Sequence, residues 1–356
     1  MSVIKNSKIG NKAPPYGRRR LCRAACFAFY LGFTGFLPAF AGLPGSEAPA
    51  VKKPPKIAVS IKPLHSLVSA VAQNIAEPAL IMQGSGSEHG YALRPQDAEN
   101  LSTADIVFWA GPQMETFLQK PLQNLSPQAE IIALATAPGI ELLPMRRGGV
   151  FVVPDSEKGH SYRERGEEQG ADLHFWLDPQ NAKAAVTYID RILSQKDPAR
   201  AALYHSNAEN YRRRLDRLIG RVNEELAPVR GRPFIVFHDA YQYFERRFAM
   251  PAMGAITVNP EQAPGARRVA AMRARIVKFA GKAQAGFCIF SEPQFEPRLV
   301  RTISEGTKAR TGVLDPLGSN LLPGPEQYPA LIQNLADSLT QCLSGAARQV
   351  KAGLSP

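Results

Sequence analysis

DPARAALYHSNAENYRRRLDRLIGRVNEELAPVRG, residues 197–231, sets the architecture of this 356-residue chain. Asp197 suits an N-cap, and Pro198 suits the first helical turn, where a missing N–H costs nothing. Tyr211, Leu215, Leu218, Ile219, Val222 and Leu226 then recur at helical spacing until Pro228 and Gly231 stop the run. The pattern predicts one helix over 198–227, about thirty residues where 8 to 20 are usual. Its opposite face is rich in Arg and Glu, as a solvated face requires. A helix of this length in mid-chain reads as a stiff connector between two domains.

Short, mainly apolar runs lie on both sides of it, at 56–61, 79–82 and 106–110 before, and at 234–238 and 285–290 after. They read as strands buried on both faces, with helical spacing between them at 64–75 and 269–279. This alternation predicts an α/β fold of two lobes, each a mainly parallel sheet flanked by helices. Ligands in such sheets bind beyond the carboxyl ends of the strands. The expected organisation is a lobe over 56–196, a linking helix over 197–228 and a second lobe over 229–347, followed by a tail at 348–356. Residues 146–172, rich in Gly, Glu, Arg and Ser, are expected to form a mobile loop.

The beginning of the chain bears on the compartment. Lys12, Arg18, Arg19, Arg20 and Arg23 precede an apolar run over 24–40, which ends in Ala39-Phe40-Ala41. This is the order of a secretory signal peptide, expected over 1–41 with a Pro-rich, disordered lead-in over 42–55. The run is short for a bilayer span of roughly 20 residues. Cys26 precedes the apolar centre, so no lipid anchor is expected. Loss of the segment would remove seven basic and no acidic residues, taking the net charge from +12 to +5. The remaining basic residues are scattered, without the clustered basic and aromatic side chains of a nucleic-acid groove.

Of four cysteines, Cys22 and Cys26 leave with the signal, and Cys288 and Cys342 remain as an even pair in an oxidising compartment. A disulfide between them is expected to pin the last helix to the sheet of the second lobe.

The six histidines can be weighed one by one. His89 lies in a loop after the 79–82 run, His174 lies in Leu173-His174-Phe175-Trp176, and His238 ends the 234–238 strand. Singly, each is an ordinary candidate for a hydrogen-bonded structural role. Their separation matches neither a zinc finger nor a metalloprotease helix, and imidazole suits several transition metals. From the residues alone, the choice stays open.

Eight blocks in order carry a resemblance: SIKPLHSLV (60–68), GSEHGYALRPQDAENL (86–101), ADIVFWAGPQMETF (104–117), HFWLDPQNA (174–182), VFHDAYQYFE (236–245), TVNPEQAPG (257–265), SEPQF (291–295) and LDPLGSN (314–320). Together they resemble the zinc-specific binding proteins of bacterial ABC importers, the ZnuA family, over about 56–345. The resemblance implies two α/β lobes joined by one long rigid helix, with a metal site in the interlobe cleft. It implies that His89, His174 and His238 bind Zn²⁺, with Glu88 or a water in the fourth position and Asp315 as the next candidate. Three imidazoles and an oxygen suit this borderline-soft ion, whereas harder Mn²⁺ favours more carboxylates. The expected partner is an inner-membrane ABC permease, reached from the periplasm by a monomeric carrier.

Further expectations concern the surroundings of that site. Asp239 and Glu292 are candidates to accept the second ring N–H of a ligating histidine, with ion pairs to Arg94 or Lys62 as the alternative use. Tyr91, Phe175 and Trp176 are expected to line the cleft or pack in the core. His65 is expected to cap a helix or form the cleft wall, and His205 to be a surface residue. Two departures from the family pattern argue against a second metal site: the 146–172 loop holds a single histidine, His160, and Ala255 stands where some relatives have histidine. Zinc affinity is expected to fall below about pH 6, near the ordinary histidine pKa. Two rival functions are weighed: a carrier of another transition metal, and an exported zinc hydrolase with Glu88 or Glu292 as general base. The latter lacks any nucleophile or phosphate motif.

Overall fold

A computed structural model describes residues 53–84, 86–146, 170–257, 260, 265–280 and 287–345. The expected signal peptide (1–41), residues 42–52 of the lead-in, His160 with most of the 146–172 loop, and the tail at 348–356 lie outside the described residues.

In chain order the first lobe consists of β1 (Ile57–Val59), α1 (Lys62–Val71), β2 (Ala79–Leu80), α2 (Pro95–Ser102), β3 (Ile106–Trp109), α3 (Gln119–Leu125), β4 (Glu130–Ala133), β5 (Leu143–Pro144), β6 (Ala171–Asp172) and α4 (Pro179–Lys196). Its four-stranded sheet is parallel throughout, in the order β2-β1-β3-β4. β1 and β3 are wholly buried, as central strands covered on both faces must be. The 79–82 run enters the ladder only at Ala79–Leu80, yet Ile81 N–H and Met82 N–H still donate to the carbonyls of Val59 (2.9 Å) and Ser60 (2.8 Å). Every residue of α1 is buried. It ends at Val71, short of the expected 75, and the chain turns through Asn74 at φ 62°, a conformation Asn tolerates better than most residues. β5 and β6 pair antiparallel and close the base of the expected loop, so the loop gives way to a strand at residue 171.

α5 (Ala201–Leu226) carries Tyr204, Ala208, Tyr211, Leu215, Leu218, Val222 and Leu226 as its buried stripe. Single 3-10 turns at Pro198–Arg200 and Ala227–Val229 extend it at either end, matching the length expected from sequence. Asp197 stands at the N-cap, where its carbonyl accepts from Arg200 N–H (3.1 Å), but its carboxylate caps no backbone N–H and accepts instead from Arg200 Nη1 (2.8 Å) and Tyr204 OH (3.2 Å). The helix leaves α4 at this turn and leads to the second lobe.

That lobe comprises β7 (Phe234–His238), α6 (Gln242–Phe248), β8 (Ala255–Thr257), α7 (Ala266–Ala280), β9 (Cys288–Ser291), α8 (Arg298–Ser304), β10 (Arg310–Val313) and α9 (Gln327–Ser344). Its sheet is again parallel, in the order β10-β9-β7-β8. The expected disulfide is formed: Cys288 on β9 is bonded to Cys342 on α9. Arg310 Nε adds a hydrogen bond to the Cys342 carbonyl (2.7 Å), tying the end of α9 to β10.

α9 packs on α5 and α1, and α5 packs on α4 and α1. One continuous apolar core therefore runs through both sheets by way of these helices. Swinging the lobes widely apart would open that core to water at roughly 25 cal/mol per Å² of apolar surface, which opposes a large hinge motion. Among the described residues, no helix is long and apolar enough to cross a membrane.

Candidate metal centre

The site lies where the carboxyl ends of the two sheets face each other. In the loop after β2, Gly90 N–H donates to the Ser87 carbonyl (3.3 Å) and His89 N–H to Ser87 Oγ (3.2 Å). This tight turn turns Glu88 inward, leaving it 1% exposed, with His89 at the rim. His174 lies two residues beyond the end of β6 and stands at the N-cap of the 3-10 turn Phe175–Leu177. His238 is the last residue of β7.

One donor atom from each of Glu88, His89, His174 and His238 lies within 4.8 Å of all the others. His174 Nε2 is 3.4 Å from His238 Nε2 and 3.4 Å from Glu88 Oε1. Glu88 Oε1 is 4.0 Å from both His89 Nε2 and His238 Nε2. In tetrahedral zinc with bonds near 2.1 Å, neighbouring ligand atoms stand roughly 3.4 Å apart, so the two His174 distances already match and the wider ones close by about 0.6 Å or more on coordination. Two of the four atoms, Glu88 Oε1 and His89 Nε2, are buried without a hydrogen-bond partner. Buried polar atoms are ordinarily satisfied, so a cation among them accounts for both.

The far nitrogens of two rings are held by carboxylates. His238 Nδ1 lies 2.6 and 2.8 Å from the oxygens of Glu292, which also accepts from Tyr241 OH (3.1 Å). His174 Nδ1 lies 2.7 Å from Asp172 Oδ1, and the same oxygen accepts from His174 N–H (2.9 Å). With both Nδ1 atoms protonated, the Nε2 lone pairs are left for the cleft, as metal-binding imidazoles require.

Glu292 thus takes the supporting position considered for it, and Asp239 does not. Asp239 pairs instead with Arg146, which also binds Glu245 (2.7 Å). Asp172 was not among the sequence candidates; its signal was the Asp-x-His spacing, close enough for one loop to supply ligand and support together. Arg94 pairs with Asp97 (2.9 Å), and Lys62 donates to the carbonyls of Ser319 and Leu321 (3.1 Å). Asp315 braces its own loop rather than joining the cluster, accepting from the amides of Leu317 (3.1 Å), Gly318 (3.0 Å) and Ser319 (2.6 Å). Trp176 stands beside the site, its ring 5.3 Å from that of His174 and its N–H donating to the Pro316 carbonyl (2.9 Å). Phe175 is core, and Tyr91 donates to Asp97 (3.0 Å). His65 neither caps nor lines the cleft; it is buried within α1 with Nε2 2.9 Å from the Pro78 carbonyl. His205 is a surface residue paired with Asp190 (3.1 Å).

The electrostatics divide the three rings. Burial alone would raise the Glu88 carboxyl, but contact with His174 and the charge of the imidazoles hold it down at about 2. Burial pushes the His89 ring down to about 4, the neighbouring imidazoles contributing in the same direction. Burial also opposes charge on His174, yet Asp172 and Glu88 overcome it and raise that ring to about 10. Without metal, His174 therefore holds a proton at neutral pH in the place an ion would take.

A cavity of about 280 Å³ opens beside His89 and His174, bounded by Met114, Met145, Arg146 and Asp239. It is large enough for a hydrated ion, and among the described residues no second cluster of metal-binding side chains is found.

Residues 57–342 match the family model for ZnuA, the periplasmic component A of a zinc-uptake complex. A high-affinity zinc uptake system protein ZnuA from Brucella suis is 50% identical over 313 residues, covering 81% of this chain and 91% of the relative. Its counterpart from Yersinia pestis is 33% identical over 295 residues, with the same coverage. Among solved structures, a zinc-bound deletion mutant of ZnuA superimposes with a TM-score of 0.66 over 83% of this chain and 99% of that one, at 24% identity, a likeness of fold.

Proposed function

The chain belongs to the ZnuA family, and from that premise we propose that it takes up Zn²⁺ between Glu88, His89, His174 and His238. It captures zinc in the periplasm for import by an ABC transporter and is not an enzyme. The observation that carries the ligand assignment is the convergence of four donor atoms from both lobes, two of them buried and otherwise unpartnered. Neutral imidazoles with one carboxylate suit zinc above manganese. Because Glu88 occupies the fourth direction, the set leaves no open position for an activated water, which separates it from catalytic zinc sites.

In this reading the chain is made with a signal peptide over 1–41, works as a monomer without a lipid anchor, and passes the ion to the membrane permease after small shifts of the lobes. His174 exchanges its proton for the ion on capture, and the reverse exchange assists release. Calorimetric titration of the metal-stripped protein with Zn²⁺ and Mn²⁺ tests the assignment. One tight zinc site per chain, weak Mn²⁺ binding, and loss of the site in a His89→Ala, His174→Ala, His238→Ala triple variant are expected. Undiminished zinc binding by that variant would overturn the ligand set.

A further inference from the structure

His174 belongs to the first lobe, but what holds its supporting carboxylate does not. Asp172 Oδ1 faces His174, while Asp172 Oδ2 accepts from Gln242 Nε2 (2.8 Å), the first residue of α6 in the second lobe. Gln242 Nε2 also donates to the Pro144 carbonyl (3.1 Å) on the paired strand β5. The next residue, Tyr243, donates from its hydroxyl to the Asp172 carbonyl (2.5 Å) and accepts from Leu143 N–H (2.8 Å). α6 thus reads out the β5–β6 hairpin at four points, and one of them is the side chain of the carboxylate that orients a ligand.

The path from α6 to the His174 ring runs through Gln242 and Asp172, with Tyr243 holding the Asp172 carbonyl beside it. Asp172 is 6% exposed, so losing an acceptor contact there leaves a buried carboxylate oxygen unsatisfied, at a cost larger than that of a surface hydrogen bond. The carboxylate can then rotate toward another donor, and the His174 ring loses its fixed direction. Carboxylates that orient metal-binding imidazoles typically alter affinity by 10- to 100-fold when removed. α6 begins only four residues after His238, so any movement of the second lobe that shifts this ligand also shifts Gln242.

We propose that Gln242 is a positioning residue that ties the second lobe to the orientation of His174 through Asp172, so that displacing the lobes weakens two zinc ligands at once. The first lobe's ligand is held in place by the second lobe, and a displacement of α6 that breaks the Gln242–Asp172 hydrogen bond frees the His174 ring for release. The proposal rests on His174 being a zinc ligand.

The test is the rate at which zinc-loaded protein gives up its ion to excess chelator, followed by stopped flow. Gln242→Ala, Gln242→Met, Asp172→Ala and the Gln242→Ala, Asp172→Ala double variant are compared, together with the melting temperatures of the metal-free forms. Both Gln242 variants are expected to bind one zinc per chain and release it about 10-fold faster than the parent chain. In the Asp172→Ala background, Gln242→Ala is expected to add less than twofold, because its effect passes through Asp172. Parent-like release by Gln242→Met, or full multiplication of the two effects in the double variant, would overturn the proposal. His174→Ala run alongside separates the two readings: if it retains parent-like zinc binding, the ligand assignment fails rather than the positioning role.

Discussion

The charge state of His174 gives a quantitative prediction about pH. In the metal-free protein this ring titrates at about 10, because Asp172 and Glu88 outweigh its burial, whereas His89 stays neutral down to about 4. Between those limits a zinc ion entering the site displaces the His174 proton, and that displacement by itself raises the apparent association constant tenfold per pH unit. From pH 6 to pH 8 that amounts to about 100-fold, or about 2.7 kcal/mol of binding free energy at about 1.36 kcal/mol per pH unit. The His174 contribution should fade as pH approaches 10, and His89 should add a proton of its own as pH falls to 4. The assay is competition against a chelator of known pH dependence, with calorimetry in two buffers of different ionisation enthalpy to count the proton directly. Asp172→Asn, which removes the largest charge favouring protonation of His174, should flatten the slope near neutrality. Affinity independent of pH between 6 and 8 would mean that His174 is already neutral, and the reasoning from its two carboxylates would be wrong.

Glu115 offers a separate test of burial. It is fully buried, with one oxygen accepting from Ala110 N–H (2.7 Å) and Gly111 N–H (3.1 Å), and burial pushes it up to about 7. A carboxyl raised in the fold costs stability once pH passes its unfolded value; the cost grows to about pH 7 and is constant above. Glu115→Gln should therefore stabilise the metal-free protein at pH 8 by an amount on the order of 3 kcal/mol and leave it unchanged at pH 4, as urea midpoints would report. Glu292→Gln should keep one zinc per chain but weaken it about 10- to 100-fold in calorimetry, since the His238 ring loses its charged support. Replacing Cys288 and Cys342 by serine frees a cross-link between residues 54 apart, for an expected loss of about 4 kcal/mol in denaturant titrations of both metal-free and zinc-loaded protein.

Much of this molecule was legible in its sequence. The stripe from Tyr211 to Leu226 gave the long helix because its apolar spacing is local and regular. The central strands were readable because burial on both faces makes them continuously apolar. The edge strands β4 and β10 escaped notice for the opposite reason: Glu130 and Ile131 are exposed, and Arg310, Thr311 and Gly312 give no apolar run. α4 hid in a stretch whose amphipathic signal runs straight into α5, with only the turn at Asp197 to separate them. At the site, the histidines stood out only through the resemblance, since their separations along the chain contain no local geometry. Asp172, Gln242 and the Arg146 pairs depend on contacts between residues up to 99 positions apart, which no local pattern records. Asp239, adjacent to His238, was the plausible support by proximity in sequence. It lost that position to Glu292, 54 residues from His238, because Asp239 lies in the turn beyond β7 and pairs there with Arg146.

The most direct test of the account is the position of the ion itself. Crystals of the zinc-loaded protein, measured on either side of the zinc absorption edge, should show one anomalous peak per chain, about 2.0 to 2.2 Å from Glu88 Oε1 and from Nε2 of His89, His174 and His238. A peak elsewhere in the molecule, or one bound by the three imidazoles with Glu88 turned away, would contradict it.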